Sequence, residues 1–170
     1  SAYATAVEGF ALPYGDIPVG SWRTAPYAVI QNVGAYLDLP RFMDSDHPIA
    51  TALDAEAYVA RLEEIPGVLS GELERIQAAR AMGVVPPDFL LDKAIDQMRS
   101  TLTDAMGGGA LVESLTRRTA ESGIAGDWQA RAQAIVTGQI APALEAQLAE
   151  LQVQRGMAGS DPGIWAQPRG

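Results

Sequence analysis

An all-α fold is predicted by three observations in the chain. Apolar residues recur at three- and four-residue spacing from Thr51 to Leu102, and again from Asp127 to Arg155. Glycines and prolines cluster between and around these runs, where helices start and stop. The expected architecture is a multi-helix domain with an irregular, aromatic-rich N-terminal arm and a long C-terminal helix kinked near Pro142.

Residues 1–50 form the arm, with one short element. Gly9, Gly15, Gly20 and Gly34 alternate with Pro13, Pro18, Pro26, Pro40 and Pro48, which leaves little room for regular structure before Tyr27. Tyr3, Phe10, Tyr14, Trp22 and Tyr27 make this stretch rich in rings, so it is expected to clamp onto a helical surface. In YAVIQNVGAYL, Val29, Val33 and Tyr36/Leu37 fit helical spacing. Phe42 and Met43 extend that apolar face before DSDHPI turns the chain.

Residues 51–102 read as three helices. Thr51 is placed to cap the first, and Asp54 and Glu56 lie in early turns where the helix dipole favours carboxylates. Leu53, Tyr58, Leu62 and Ile65 fall close to one face. Pro66 has no N–H to donate and is expected to end this helix. Leu69, Leu73 and Ile76 mark the second, with Gly83 at its C-terminal end. Pro87 opens the third, along which Leu91, Ile95, Met98 and Leu102 line up. The short Gly83–Pro86 connection predicts that the helices it joins are antiparallel neighbours.

Residues 110–155 form a helical pair. MGGGAL breaks the chain after Leu102, Leu111 and Leu115 point inward from a modest helix, and Gly123 and Gly126 end it. The following helix presents Ile135/Val136, Ile140, Leu144, Leu148 and Leu151 on one face, interrupted by Pro142. Residues 156–170 are a turn-rich tail in which Trp165 is expected to anchor on the body.

Composition narrows the function. Of 170 residues, 48% are hydrophobic and 19% charged, as in a folded domain. The net charge of -9, with Lys93 the only lysine, argues against a nucleic-acid partner. No apolar run approaches the roughly 20 residues of a transmembrane segment. Without an initiator Met or a signal-peptide pattern, the chain is expected to be a mature or trimmed product. The absence of cysteine excludes disulfides and thiolate chemistry and is compatible with the cytoplasm or an exported compartment. A catalytic zinc commonly takes two or three histidines, and this chain has only His47.

The candidate contact residues are Arg23, Tyr27 and His47. His47 sits in Asp44-Ser45-Asp46-His47-Pro48, where neighbouring carboxylates could orient it as a base. The plainer reading is an imidazole satisfying backbone groups in a tight turn. Arg23, flanked by Trp22 and Tyr27, could bind a carboxylate or stack on a ring, or simply tie the arm to a helix. Glu63/Glu64 and Glu72/Glu74 read as a solvated face, since helical neighbours one or two apart diverge. Arg117-Arg118 reads as a surface pair. The Gly107–Gly109 triplet lacks the Lys and Ser/Thr of a phosphate-binding loop, so it reads as a hinge. From these residues alone no catalytic or metal-binding set emerges.

Several stretches in order carry a resemblance: Pro26-Tyr27, Gly34-Ala35-Tyr36, Phe42–Pro48, Tyr58–Leu62, Gly83–Pro87, Pro142-Ala143 and Gly163-Ile164-Trp165 with Pro168 and Gly170. From Trp22 onward the chain resembles the N-terminal portion of the bacterial family described as domain of unknown function 885. Met43 and Asp46 depart from the Leu and Gln expected in that pattern. The resemblance implies a mostly helical zinc metallopeptidase, often exported or lipid-anchored, which places it in the periplasm or cell envelope. It also implies catalysis by an H-E-x-x-H helix lying downstream of Gly170, so no ligand or base is carried over to this chain. The expectation is a non-catalytic portion that supports the substrate cleft and a catalytic C-terminal half. Zinc belongs to the intact protein and no cofactor to this chain. An exposed receiving face would favour self-association. The alternatives are a self-sufficient helical binding or scaffold module, and an acidic enzyme centred on His47 and Arg23.

Overall fold

A computed structural model describes residues 27–168, so the N-terminal arm with Trp22 and Arg23 lies outside the described residues. Within them the fold is helical, and the only β feature is an isolated antiparallel bridge between Ile30 and Val33. The helices are α1 (Ala35–Ser45), α2 (Ala52–Ala81), α3 (Asp88–Met106), α4 (Gly109–Glu121), α5 (Trp128–Ile135) and α6 (Ala141–Met157). A π-helical turn, Val136–Ile140, joins α5 to α6, and a short 3₁₀ turn, Ile164–Ala166, lies near the end.

The first element departs from the helical spacing of YAVIQNVGAYL. Ile30 and Val33 exchange backbone hydrogen bonds at 3.0 and 3.1 Å in a tight turn, and α1 begins only at Ala35. Gly34 enforces that boundary. Its φ of 144° is open to glycine, and a Cβ there would sit 2.8 Å from the Tyr36 ring.

Helix α2 begins at a complete capping box. The Thr51 hydroxyl accepts from the Asp54 N–H at 3.3 Å, and the Asp54 carboxylate accepts from the Thr51 N–H at 2.8 Å. It then runs unbroken for 30 residues through Pro66, where the spacing predicted two helices. The reason is register. Leu62, Ile65, Leu69 and Ile76 form one buried stripe across the proline, so a break would pull half of it from the core. Burial of that stripe outweighs the roughly 3 kcal/mol cost of an interior proline. Leu53, expected on this face, is 80% exposed at the start of the helix.

The Gly83–Pro87 link leads to α3, but the two helices it joins are not packed side by side. Helix α6 lies against both, parallel to α2 and antiparallel to α3. An extended link covers about 3.3 Å per residue, enough to step past an intervening helix whose axis is some 8–10 Å from each neighbour. Gly83, with φ 80°, ends α2 as expected, and Pro87 caps α3 one residue ahead of its first turn.

The long C-terminal helix is present, and its irregularity falls just before Pro142. Pro142 cannot donate to the ladder and stands in the first turn of α6, where a missing N–H costs least, and the wider π turn lies immediately before it. The core runs through the centre of all six helices, from Tyr58 and Leu62 on α2 to Leu91 and Met98 on α3 and Leu151 on α6. Trp165 is not an anchor. It is 80% exposed, and its indole N–H donates to Asp161 at 3.0 Å.

Candidate functional site

An apolar cavity of about 320 Å³ lies where α1, α2, α3, the glycine turn and the π turn converge. Its floor is apolar and buried: Ile65 and Leu69 from α2, Val136 and Ile140 from the π turn, and Leu144 from α6. Its mouth is polar, with Ser100, Thr101 and Asp104 from α3. A π turn adds one residue to the helix circumference, which lets both Val136 and Ile140 face the same space.

The glycine triplet shapes the mouth. Gly108 and Gly109 take φ values of 104° and 47°, so α3 turns directly into α4. A Cβ on Gly109 would stand 2.8 Å from the Asp104 carbonyl, which is why that approach requires glycine. Asp104 bends back over the turn and accepts the Ala110 N–H at 3.0 Å. Its carboxylate is thereby fixed beside the opening.

A buried polar node adjoins the cavity wall at Ala35 and Leu69. Glu72, expected on a solvated face, is only 5% exposed. Both of its oxygens accept the Ala35 N–H, at 3.1 and 3.2 Å, so a carboxylate from α2 satisfies the N-terminus of α1. The Gln147 amide donates to Glu72 at 3.0 Å and to the Leu69 carbonyl at 2.8 Å. Burial raises the Glu72 carboxyl above the ordinary 4.5, while the Ala35 and Gln147 hydrogen bonds and Arg75 oppose that rise. Further along the same helix pair, Arg80 grips buried Glu150 through two nitrogens at 2.6 and 3.2 Å, and Gln154 donates to the Ile76 carbonyl. The signal for these groups was present. Glu72 lies between Leu69 and Ile76 on the buried stripe, and Gln147 and Gln154 alternate with Leu144 and Leu151.

His47 belongs to a different region. It is 2% exposed, its ring 5.2 Å from that of Tyr58. Nδ1 lies 2.7 Å from the Pro48 carbonyl, which makes it the protonated nitrogen and leaves Nε2 without a partner among the described residues. Tyr58 donates to the Leu111 carbonyl at 2.8 Å, and burial pushes its hydroxyl up to about 12. Arg118, read as a surface residue, donates to the carbonyls of Met43, Asp44 and His47 and so closes the C-terminal end of α1.

Tyr27 is half-buried beside Ile76 and Ala79, toward the far end of α2. Tyr58 and Ile76 are separated by about 27 Å of helix at 1.5 Å per residue, so Tyr27 and His47 do not meet. Arg23 lies outside the described residues.

No group of three or more His, Cys, Asp or Glu is placed to hold a metal ion among the described residues, and the one histidine is enclosed in a turn. No helix among them is long and apolar enough to cross a membrane.

No curated protein matches the chain. Among solved structures, the crystal structure of the putative lipoprotein from Colwellia psychrerythraea aligns with a TM-score of 0.79 at 24% identity. The alignment covers 85% of this chain and 26% of that one, so the chain spans about a quarter of that protein's length. At this identity the likeness shows a shared fold. The family model described as "Bacterial protein of unknown function (DUF885)" matches residues 2–170, and the chain belongs to that family.

Proposed function

We infer that this chain is a non-catalytic helical portion of a zinc-dependent peptidase of the bacterial envelope. It builds one wall of the substrate cleft and supports a catalytic half supplied by further polypeptide. The observation that carries the reading is proportion: the shared fold fills 85% of this chain and only 26% of the related lipoprotein. The internal ties agree with a supporting role. Buried Glu72, Gln147, Glu150 and Gln154 bolt α2 to α6 with hydrogen-bonded polar groups, and none of them is free to act on a substrate. The lipoprotein character of the structural relative supports placement in the envelope.

The test compares the product of the whole reading frame with the 170-residue chain. Zinc content by mass spectrometry and cleavage of a mixed peptide library are measured for both. About one zinc per molecule and cleavage are expected only from the longer product. Stoichiometric zinc or cleavage with the 170-residue chain, or a whole product without either, overturns the reading. The cavity favours a second reading, a self-sufficient helical binding module, which a reading frame ending near Gly170 would support.

A further inference from the structure

We propose that the central cavity is a binding site for a small amphipathic amine, its hydrocarbon part on the apolar floor and its ammonium group at Asp104. The inference does not depend on the peptidase reading. The volume of about 320 Å³ lies within the ~300–1,000 Å³ of preformed ligand pockets. The floor offers only hydrocarbon, from Leu69, Val136, Ile140 and Leu144 among others, and takes the apolar part of a ligand.

The sign of the mouth selects the head group. Asp104 is the only charged residue lining the cavity among the described residues. The open recess continuous with it shares Ser100, Asp104 and Gly109 and adds a second carboxylate, Glu113. Arg117 lines a further recess that shares Gly108 with the cavity and Glu113 with the open recess, and it is paired with Asp44 at 3.6 Å and Glu121 at 3.3 Å. Arg41, next to Pro40, and Arg99, next to Ser100, do not line the cavity and pair with Asp38 at 3.5 Å and Asp96 at 3.6 Å. A net charge of -9 adds a long-range field of the same sign. The carboxylate at the mouth and the net charge favour an ammonium group over a carboxylate or phosphate. Asp104 is also held in place, since its bond to the Ala110 N–H fixes the carboxylate before any ligand arrives.

The experiment titrates hexylamine, 1-hexanol and hexanoate separately into the protein and follows backbone amide shifts by NMR. Hexylamine is expected to give saturable shifts at Leu37, Gly108, Ala110 and Ile140, with 1-hexanol weaker and hexanoate weakest. Asp104→Asn keeps an oxygen for the Ala110 N–H and removes the charge. It is expected to weaken hexylamine about fivefold and leave 1-hexanol unchanged. Leu144→Trp, which fills the floor, removes binding of both; thermal melting confirms that each variant is folded. Hexanoate binding as well as hexylamine, no saturable shift with any probe, or an unchanged affinity in Asp104→Asn overturns the proposal. Neither zinc nor cleavage is read, so failure here is distinct from failure of the peptidase reading.

Discussion

Glu72 ties three helices through one carboxylate. It accepts the first amide of α1, receives Gln147 from α6 and belongs to α2. Tyr36, Arg75 and Asp38 complete its charged and titratable surroundings, and burial, with a smaller part from the charge on Glu72, raises the Tyr36 hydroxyl. Burial lifts the folded carboxyl above 4.5, so the folded chain binds this proton more tightly than the unfolded one. The contribution to stability is therefore present at acid pH and is lost as pH rises from 4.5 through the folded value. Glu72→Gln cannot ionise and should lack this slope. Relative to wild type, its stability should gain about 1.4 kcal/mol for each pH unit across which only the folded chain holds the proton. Urea unfolding midpoints between about pH 4 and 7 measure the difference, and parallel profiles would sink the assignment. The buried state of Glu72 was legible in its place on the stripe, whereas its hydrogen-bond partners, 37 and 75 residues away, were not.

Helix α2 shows how a local rule yields to packing. A proline in a helix interior removes one backbone hydrogen bond and crowds the preceding turn, and Pro66 does both while the stripe continues across it. Pro66→Ala should restore the bond to Leu62 and stabilise the protein. The gain is offset in part because proline also restricts the unfolded chain, leaving about 1–2 kcal/mol. Equilibrium urea unfolding reads the gain directly, and a loss of stability would mean that Pro66 contributes packing that alanine cannot replace. The boundaries at Thr51, Gly83 and Pro87 were legible because caps act within a few residues. Which helix lies beside which was not, since the insertion of α6 between α2 and α3 depends on contacts some 70 residues apart in sequence.

At the scale of the whole molecule, some exposed apolar side chains lie on elements that meet at one end. The start of α3 meets the end of α6, where the Asp88 N–H donates to the Gly159 carbonyl and Arg155 pairs with Asp92 at 2.6 Å. Phe89, Val153 and Met157 lie exposed at that end. Exposed apolar side chains that adjoin one another favour association between copies. Light scattering coupled to size exclusion should therefore return a mass that rises with concentration above the 18.0 kDa of one chain. Phe89→Ser with Met157→Ser should bring it back to one chain, and a concentration-independent 18.0 kDa for the unaltered protein would count against the expectation. The helical class and the acidic charge were readable from composition and spacing. The cavity was not, because it arises where the π turn, the glycine turn and α1 come together.

The π turn also has slack that the rest of the helix lacks. Because it holds one residue more than an α-helical turn, a deletion inside it is absorbed with α6 left in nearly its present phase, whereas a deletion between Leu144 and Gln147 turns the rest of α6 by about 100°. Gln147 and Gln154 would then swing away from the carbonyls of Leu69 and Ile76, and Leu151 would leave the interior with them. A single-codon deletion just after Leu144 is thus far more damaging than the loss of one exposed side chain would suggest, whereas the same deletion in the π turn, or in the tail beyond Met157, leaves every later α-helix among the described residues in phase.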